Sequence, residues 1–277
     1  MNHTSKHIKK VILFAKTNYI LTIFLFIILL AGVLVLLKVV TGEKETIYVK
    51  VKVSQGLWWA STQRPAIWMA DALEKGSKEL TLNGETRAEI LEVRKYPLGV
   101  PGLVNEQYEI FLVTKLNTTF NEKQDSYIYN RSPIAVGEPI DFEFESVHVS
   151  GTVTDFSQVP FTTEYTEKTV ELVKYWAYPS EYDAVQVGEK YFDGQDNVIE
   201  IIDKRYDPVY EQYSGFGNNY AIETEKRINM VVTAKIKVQS KNNMYLFRED
   251  FPVQVGKKIS LQTPSYFFDQ FTIISIL

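Results

Sequence analysis

From Tyr19 to Leu37 the chain reads YILTIFLFIILLAGVLVLL, uncharged and apolar on every side of a helical projection. A run of that length matches the ~20 residues that an α-helix needs to cross the hydrocarbon core of a bilayer. A helix apolar all round has no face to offer water. Beyond residue 42 the pattern changes. Apolar and polar residues alternate in short runs, such as EIFLVTKLNT (109–118), PIDFEFESVHV (139–149) and NMVVTAKIKV (229–238), which is the period of a half-buried strand. Many short strands separated by regular turns predict a small closed or half-open barrel.

These runs occur twice. DALEKGSK (71–78) matches DAVQVGEK (183–190), and each continues through a Gly-containing turn and a β-rich run to Arg, Tyr and a proline, Pro97 or Pro208. SPIAVGEPIDFEFESVHVSG (132–151) aligns with DFPVQVGKKISLQTPSYFFD (250–269), and 109–118 with 229–238. A collinear series of four matches reads as a tandem duplication. The expected fold is mainly β: an N-terminal transmembrane helix followed by two homologous small β-barrel-like domains. The predicted segments are a basic tail (1–17), the helix (18–40), unit one (46–157), a polar turn-like link (158–167) and unit two (168–277). Gly76, Gly137, Gly188 and Gly256 each end a strand, with a charged residue next or, after Gly76, one residue further on, and are expected in tight turns at positive φ. RPAIWMADALEKG reads as a helix, with Pro65 near its start and Gly76 past its end. Its counterpart YPSEYDAVQVG reads as shorter and less helical.

Charge orients the chain. Lys6, Lys9, Lys10 and Lys16 precede the apolar run with no acidic residue among them, so the tail is expected in the cytoplasm and the rest outside. The run exceeds the ~7–15 apolar residues of a cleaved signal peptide, which favours an uncleaved anchor. Five of the 30 basic residues lie at or before Lys38, leaving 25 against 34 acidic ones outside. That balance lacks the basic footprint a nucleic acid requires. Without cysteine there is no disulfide, thiol chemistry or Cys-ligated metal. Only His148 lies beyond the anchor, so a multi-histidine metal site cannot be built there. No GxGxxG or Walker pattern occurs, and no cofactor is expected.

DAVQVGEKYFD (183–193) and VQVGKKISLQTPSYFF (253–268) resemble a bacterial family, domain of unknown function 4330. Its marks are an Asp-Ala-apolar-x-Val-Gly-Asp/Glu-Lys segment and a later Val-Gly-Lys-x-apolar-x-Leu segment. Unit one matches more loosely, with Lys75 in place of valine and GEPIDFEF as the second element. The resemblance implies a short cytoplasmic tail, one membrane helix and an extracytoplasmic β-rich domain, here present twice. It carries no catalytic residues.

Asp141, Glu143 and Glu145 alternate along one strand face and could meet a cation. The matching strand of unit two, KKISLQT, lacks them, and a solvated face opposite Ile140, Phe142 and Phe144 is the simpler reading. Trp58, Trp59 and Trp68 open unit one, and Trp176 and Tyr178 hold the comparable place in unit two. Such rings fill cores or bind sugars and peptides. The segment 206–226 is a Tyr/Gly/Asn-rich loop of the kind that carries recognition. The candidate partner-binding residues are therefore Trp58, Trp59, Trp68, Tyr210, Tyr213, Phe216 and Tyr220. The expected protein is a membrane-anchored binding or assembly component of the bacterial cell envelope, held in the lipid bilayer through residues 18–40, with an envelope protein or glycan as partner. Oligomerisation is left open, and no enzyme activity is expected. The alternatives are a cell-envelope hydrolase, which needs paired carboxylates in a cleft, and an adaptor subunit of an export system, which needs a heptad-patterned helical hairpin that is absent here.

Overall fold

The computed structural model describes residues 18–40, 44–54, 64–98, 107–209 and 227–277, with the side chains of 34–40 and of Pro208 outside that description. Helix α1 (Tyr19–Val40) covers the apolar run. Every described large apolar side chain on it is exposed, from Tyr19 at 63% to Val33 at 43%. Among the described residues no helix is long and apolar enough to cross a membrane, and the described side chains of α1 end at Val33. The transmembrane helix expected at 18–40 is thus not supported by the described residues.

Two curled antiparallel sheets follow. The first holds β1 (Lys44–Ser54), β2 (Lys78–Leu80), β3 (Thr86–Leu98), β4 (Gln107–Asn121), β5 (Ser126–Tyr129), β6 (Ser132–Pro133), β7 (Pro139–Glu143) and β8 (His148–Ser157). Its order is β2-β3-β4-β1-β8-β7, with β5 paired to β4 and β6 to β5. The second holds β9 (Tyr165–Ala177), β10 (Lys190–Phe192), β11 (Asn197–Pro208), β12 (Ile228–Lys241), β13 (Met244–Phe247), β14 (Phe251–Pro252), β15 (Lys258–Gln262) and β16 (Phe267–Ile276). Its order is β10-β11-β12-β9-β16-β15, with β13 and β14 attached as β5 and β6 are. Strand for strand, the duplication seen in the sequence returns in the topology. Unit two begins at Tyr165, three residues before the expected boundary, because 165–167 already pair with β12.

Alternation builds each core. Ile47, Val49, Val51 and Val53 of β1 turn inward and are at most 5% exposed, while Lys50 and Lys52 between them face out. On β7, Ile140 and Phe142 are buried, with Asp141 and Glu143 exposed on the other face. Each fully buried aliphatic or phenyl side chain contributes about 1.5–3 kcal/mol. Gly76, Gly137, Gly188 and Gly256 have φ of +88°, +92°, +90° and +84°, with open space where a Cβ would sit. The two short helices differ from expectation. α2 (Ile67–Ala72) and α3 (Pro179–Ala184) are both six residues long. α3 gains from Pro179 at its start and from the Glu181 carboxylate, which accepts the Tyr178 N–H at 2.8 Å. α2 lacks a side-chain cap and turns extended at Leu73. Propensity toward Gly76 is overruled because Leu73 must enter the core.

Neither sheet closes fully through its ladders, since β2 and β7 remain as edges of the first and β10 and β15 as edges of the second. In unit one a side chain bridges the two edges. Glu79 of β2, 3% exposed, accepts from the Tyr129 hydroxyl at 2.6 Å, from Arg87 Nη1 at 3.3 Å and from the backbone N–H of Glu143 on β7 at 3.3 Å. In unit two the equivalent register positions are Tyr191 and Phe247. The Tyr191 hydroxyl instead donates to the Lys95 carbonyl of unit one at 2.7 Å.

Candidate functional site

The densest chemistry lies where the units meet. The turn between β10 and β11 carries Asp193, which has no exposed surface. Its Oδ1 accepts the backbone N–H groups of Gln195 and Asp196, both at 2.9 Å, which shapes the turn. Its Oδ2 accepts from Arg94 Nη1 at 2.7 Å and from the Tyr96 hydroxyl at 2.8 Å, both on β3 of unit one. The Asp193 carbonyl takes the Lys95 N–H at 2.7 Å. Gly194 sits at φ +108° with its Cα so close to unit one that a Cβ would fall 2.7 Å from the Val93 carbonyl oxygen. Arg94 is 7% exposed, stacks on Tyr165 and reaches Asp196 at 3.1 Å. Burial disfavours its charge, but Asp193 outweighs that and holds the guanidinium above its ordinary value. Burial and the Asp193 carboxylate push the Tyr96 hydroxyl well up.

A second cluster flanks the first. Lys50 meets Glu249 at 3.3 Å, and Lys52 lies between Glu109 at 2.5 Å and Asp250 at 2.6 Å. Burial raises the Glu249 carboxyl, yet Lys50, the Tyr165 hydroxyl and Gln239 together keep it below the ordinary glutamate range. Arg248 and Glu249 occupy a hairpin turn at φ +53° and +68°, where Asn and Gly are the usual residues. Their side chains face unit one rather than water. Tyr96 and Phe111 of unit one pack edge-on into the core of unit two, each beside the other and Tyr96 beside Phe247. The pocket lined by Lys50, Arg94, Tyr165 and Glu249 has about 20 Å³ of room, enough for about one water. With Asp193 sealed from solvent and Arg94 spanning Asp193 and Asp196, this is a lock between units and not a cleft for a substrate.

The sequence-predicted residues fall elsewhere. Trp68 is 63% exposed on α2. Trp58, Trp59, Tyr210, Tyr213, Phe216 and Tyr220 lie outside the described residues. Trp176 and Tyr178 lie at the end of unit two opposite the Asp193 turn, with Tyr175 and Tyr206, all four exposed. Arg227 lies 3.1 Å over the Tyr178 ring. The end-to-end geometry follows from strand direction, since β11 runs from the junction at Asn197 to Pro208, and β12 returns from Ile228. Among the described residues no group of acidic or histidine side chains is arranged to hold a metal ion. Asp141 accepts from Ser150, and His148 is exposed at the start of β8. The junction residues were missed by sequence reading because Arg94 and Asp193 are 99 residues apart; FDGQDN signals a turn but names no partner.

No family model matches the chain, and no curated protein and no solved structure matches it. The resemblance to domain of unknown function 4330 thus rests on the two motifs of unit two.

Proposed function

We propose that this protein is a membrane-anchored binding or assembly module of the bacterial cell envelope. Residues 1–17 form a cytoplasmic tail, 18–40 cross the bilayer, and both β units stand outside. The observation that carries the reading is the placement of β1, which starts at Lys44, four residues after α1 ends at Val40. Unit one is thereby held at the bilayer surface. Unit two docks by its Asp193 end against the side of unit one, so its exposed aromatic end points away from that contact. The apolar run and the asymmetry of lysines around it support the span and its direction. The buried ionic junction that holds the two units together supports an assembly or recognition role.

Protease added to cells whose outer layers have been removed should digest both β units and leave the tail intact. A protected β region would reverse the orientation. Crosslinking in intact envelopes followed by capture of the full chain should enrich one protein or glycan reproducibly, and repeated capture of nothing would remove the binding role.

A further inference from the structure

For a module that recognises something beyond the membrane, the end of unit two opposite the junction is the surface to interrogate. There Lys174 of β9 faces Met230 of β12, and Ala177 faces Ile228. Tyr175 and Trp176 are left opposite the single residue Asn229, which is a β-bulge. Consecutive strand residues normally point to opposite faces. The bulge instead turns both rings outward, at 60% and 54% exposure, between buried Val173 and Ala177. It does so with Trp176 at φ +61°, a conformation that crowds a bulky side chain. The Trp176 N–H donates to Asn229 Oδ1, and its carbonyl accepts from Arg227 Nη1, each at 3.4 Å. Lys52 faces Phe111 as Val173 faces Val231, so the level of Tyr175 in unit one is Ser54, the last described residue of β1. Bulges re-aim side chains, and strained backbone, which persists where the surrounding structure over-determines it, clusters at ligand-binding and active sites.

Resting on the binding-module reading, we infer that Tyr175 and Trp176 form a stacking platform for a neutral glycan. Aromatic faces carry negative potential that attracts the C–H face of a sugar ring. The cations nearby are already engaged: Arg227 with the Tyr178 ring and the Trp176 carbonyl, Lys174 with Glu181, and Arg205 with Glu171. Among the described residues, each of these cations thus already has a partner that an anionic ligand would have to displace. The register neighbours of the ring pair are Asn229 and, across from it, Asp207. They offer hydrogen bonds to hydroxyls and no aliphatic surface to a protein.

The full chain in lipid nanodiscs is titrated with chitohexaose, cellohexaose and maltohexaose by calorimetry. At least one should saturate, with a Kd on the order of millimolar or tighter. Trp176→Asn, which tolerates positive φ, should fold with its Tm moved by only a few degrees and weaken that binding about tenfold or more, while Trp176→Phe keeps it. Tyr175→Ser, away from the strained position, should weaken it likewise and serves if Trp176→Asn fails to fold. Absence of saturation by all three sugars overturns the inference, as does unchanged binding by Trp176→Asn or Tyr175→Ser. Self-association of the wild type that disappears in these variants also overturns it, by assigning the rings to a second copy. The protease result is independent of all these outcomes, so the anchor and the sugar site fail separately.

Discussion

Asp193 has no exposed surface, and Arg94, Tyr96 and two backbone N–H groups satisfy both of its oxygens. Removing one partner of such a pair leaves a buried uncompensated charge, so Arg94→Ala should cost about 3–5 kcal/mol in chemical denaturation. A loss under about 1 kcal/mol, the worth of an exposed pair, would contradict the burial of this one. Glu249 makes a pH-dependent contribution. Its carboxyl is held low in the fold, so the stabilisation is complete above the ordinary glutamate value of 4.5 and is lost as pH falls below it. Melting of the wild type should drop through that acid range more steeply than melting of Glu249→Gln, and parallel curves would refute the assignment.

At the level of elements, two kinds of glycine separate. Gly188 and Gly256 turn at positive φ in open space, so alanine there should cost about 1 kcal/mol through backbone strain alone. Gly194 combines positive φ with the Val93 carbonyl oxygen 2.7 Å from any Cβ. Gly194→Ala should therefore lower Tm distinctly more than Gly188→Ala, and equal shifts would mean that the turn yields without moving the junction. The seam of unit one gives a similar contrast. Glu79→Ala strands the buried Tyr129 hydroxyl, at a cost of about 1–3 kcal/mol in chemical denaturation.

For the whole molecule, the units share a buried ionic lock and an aromatic contact into one core, and only residues 158–164 link β8 to β9. Coupling of that kind makes unfolding of the β region one event. Calorimetry should show a single transition for it, shifted alike by Gly137→Ala in unit one and Gly256→Ala in unit two. Two separate transitions in the wild type would mean that the interface is too weak to couple the units.

What the sequence determined by itself was whatever repeats within a few residues or from unit to unit. Two-residue alternation placed Ile140, Phe142 and Phe144 on an apolar face that is buried, positive-φ glycines were legible from their turns, and the duplication foretold two homologous β units. Even the outward acids of β7 follow from local period. What the tertiary structure alone decided has no local signature. The Arg94–Asp193 pair joins positions 99 residues apart, and Glu79 and Glu143 meet because two sheet edges curl together. The register opposite Asn229, not the letters YW, leaves two consecutive rings exposed. α2 stops at Ala72 because Leu73 is needed in the core. Periodicity reports which face a residue turns to its own sheet; only the closed geometry brings edges, turns and charges from distant segments within a few ångströms.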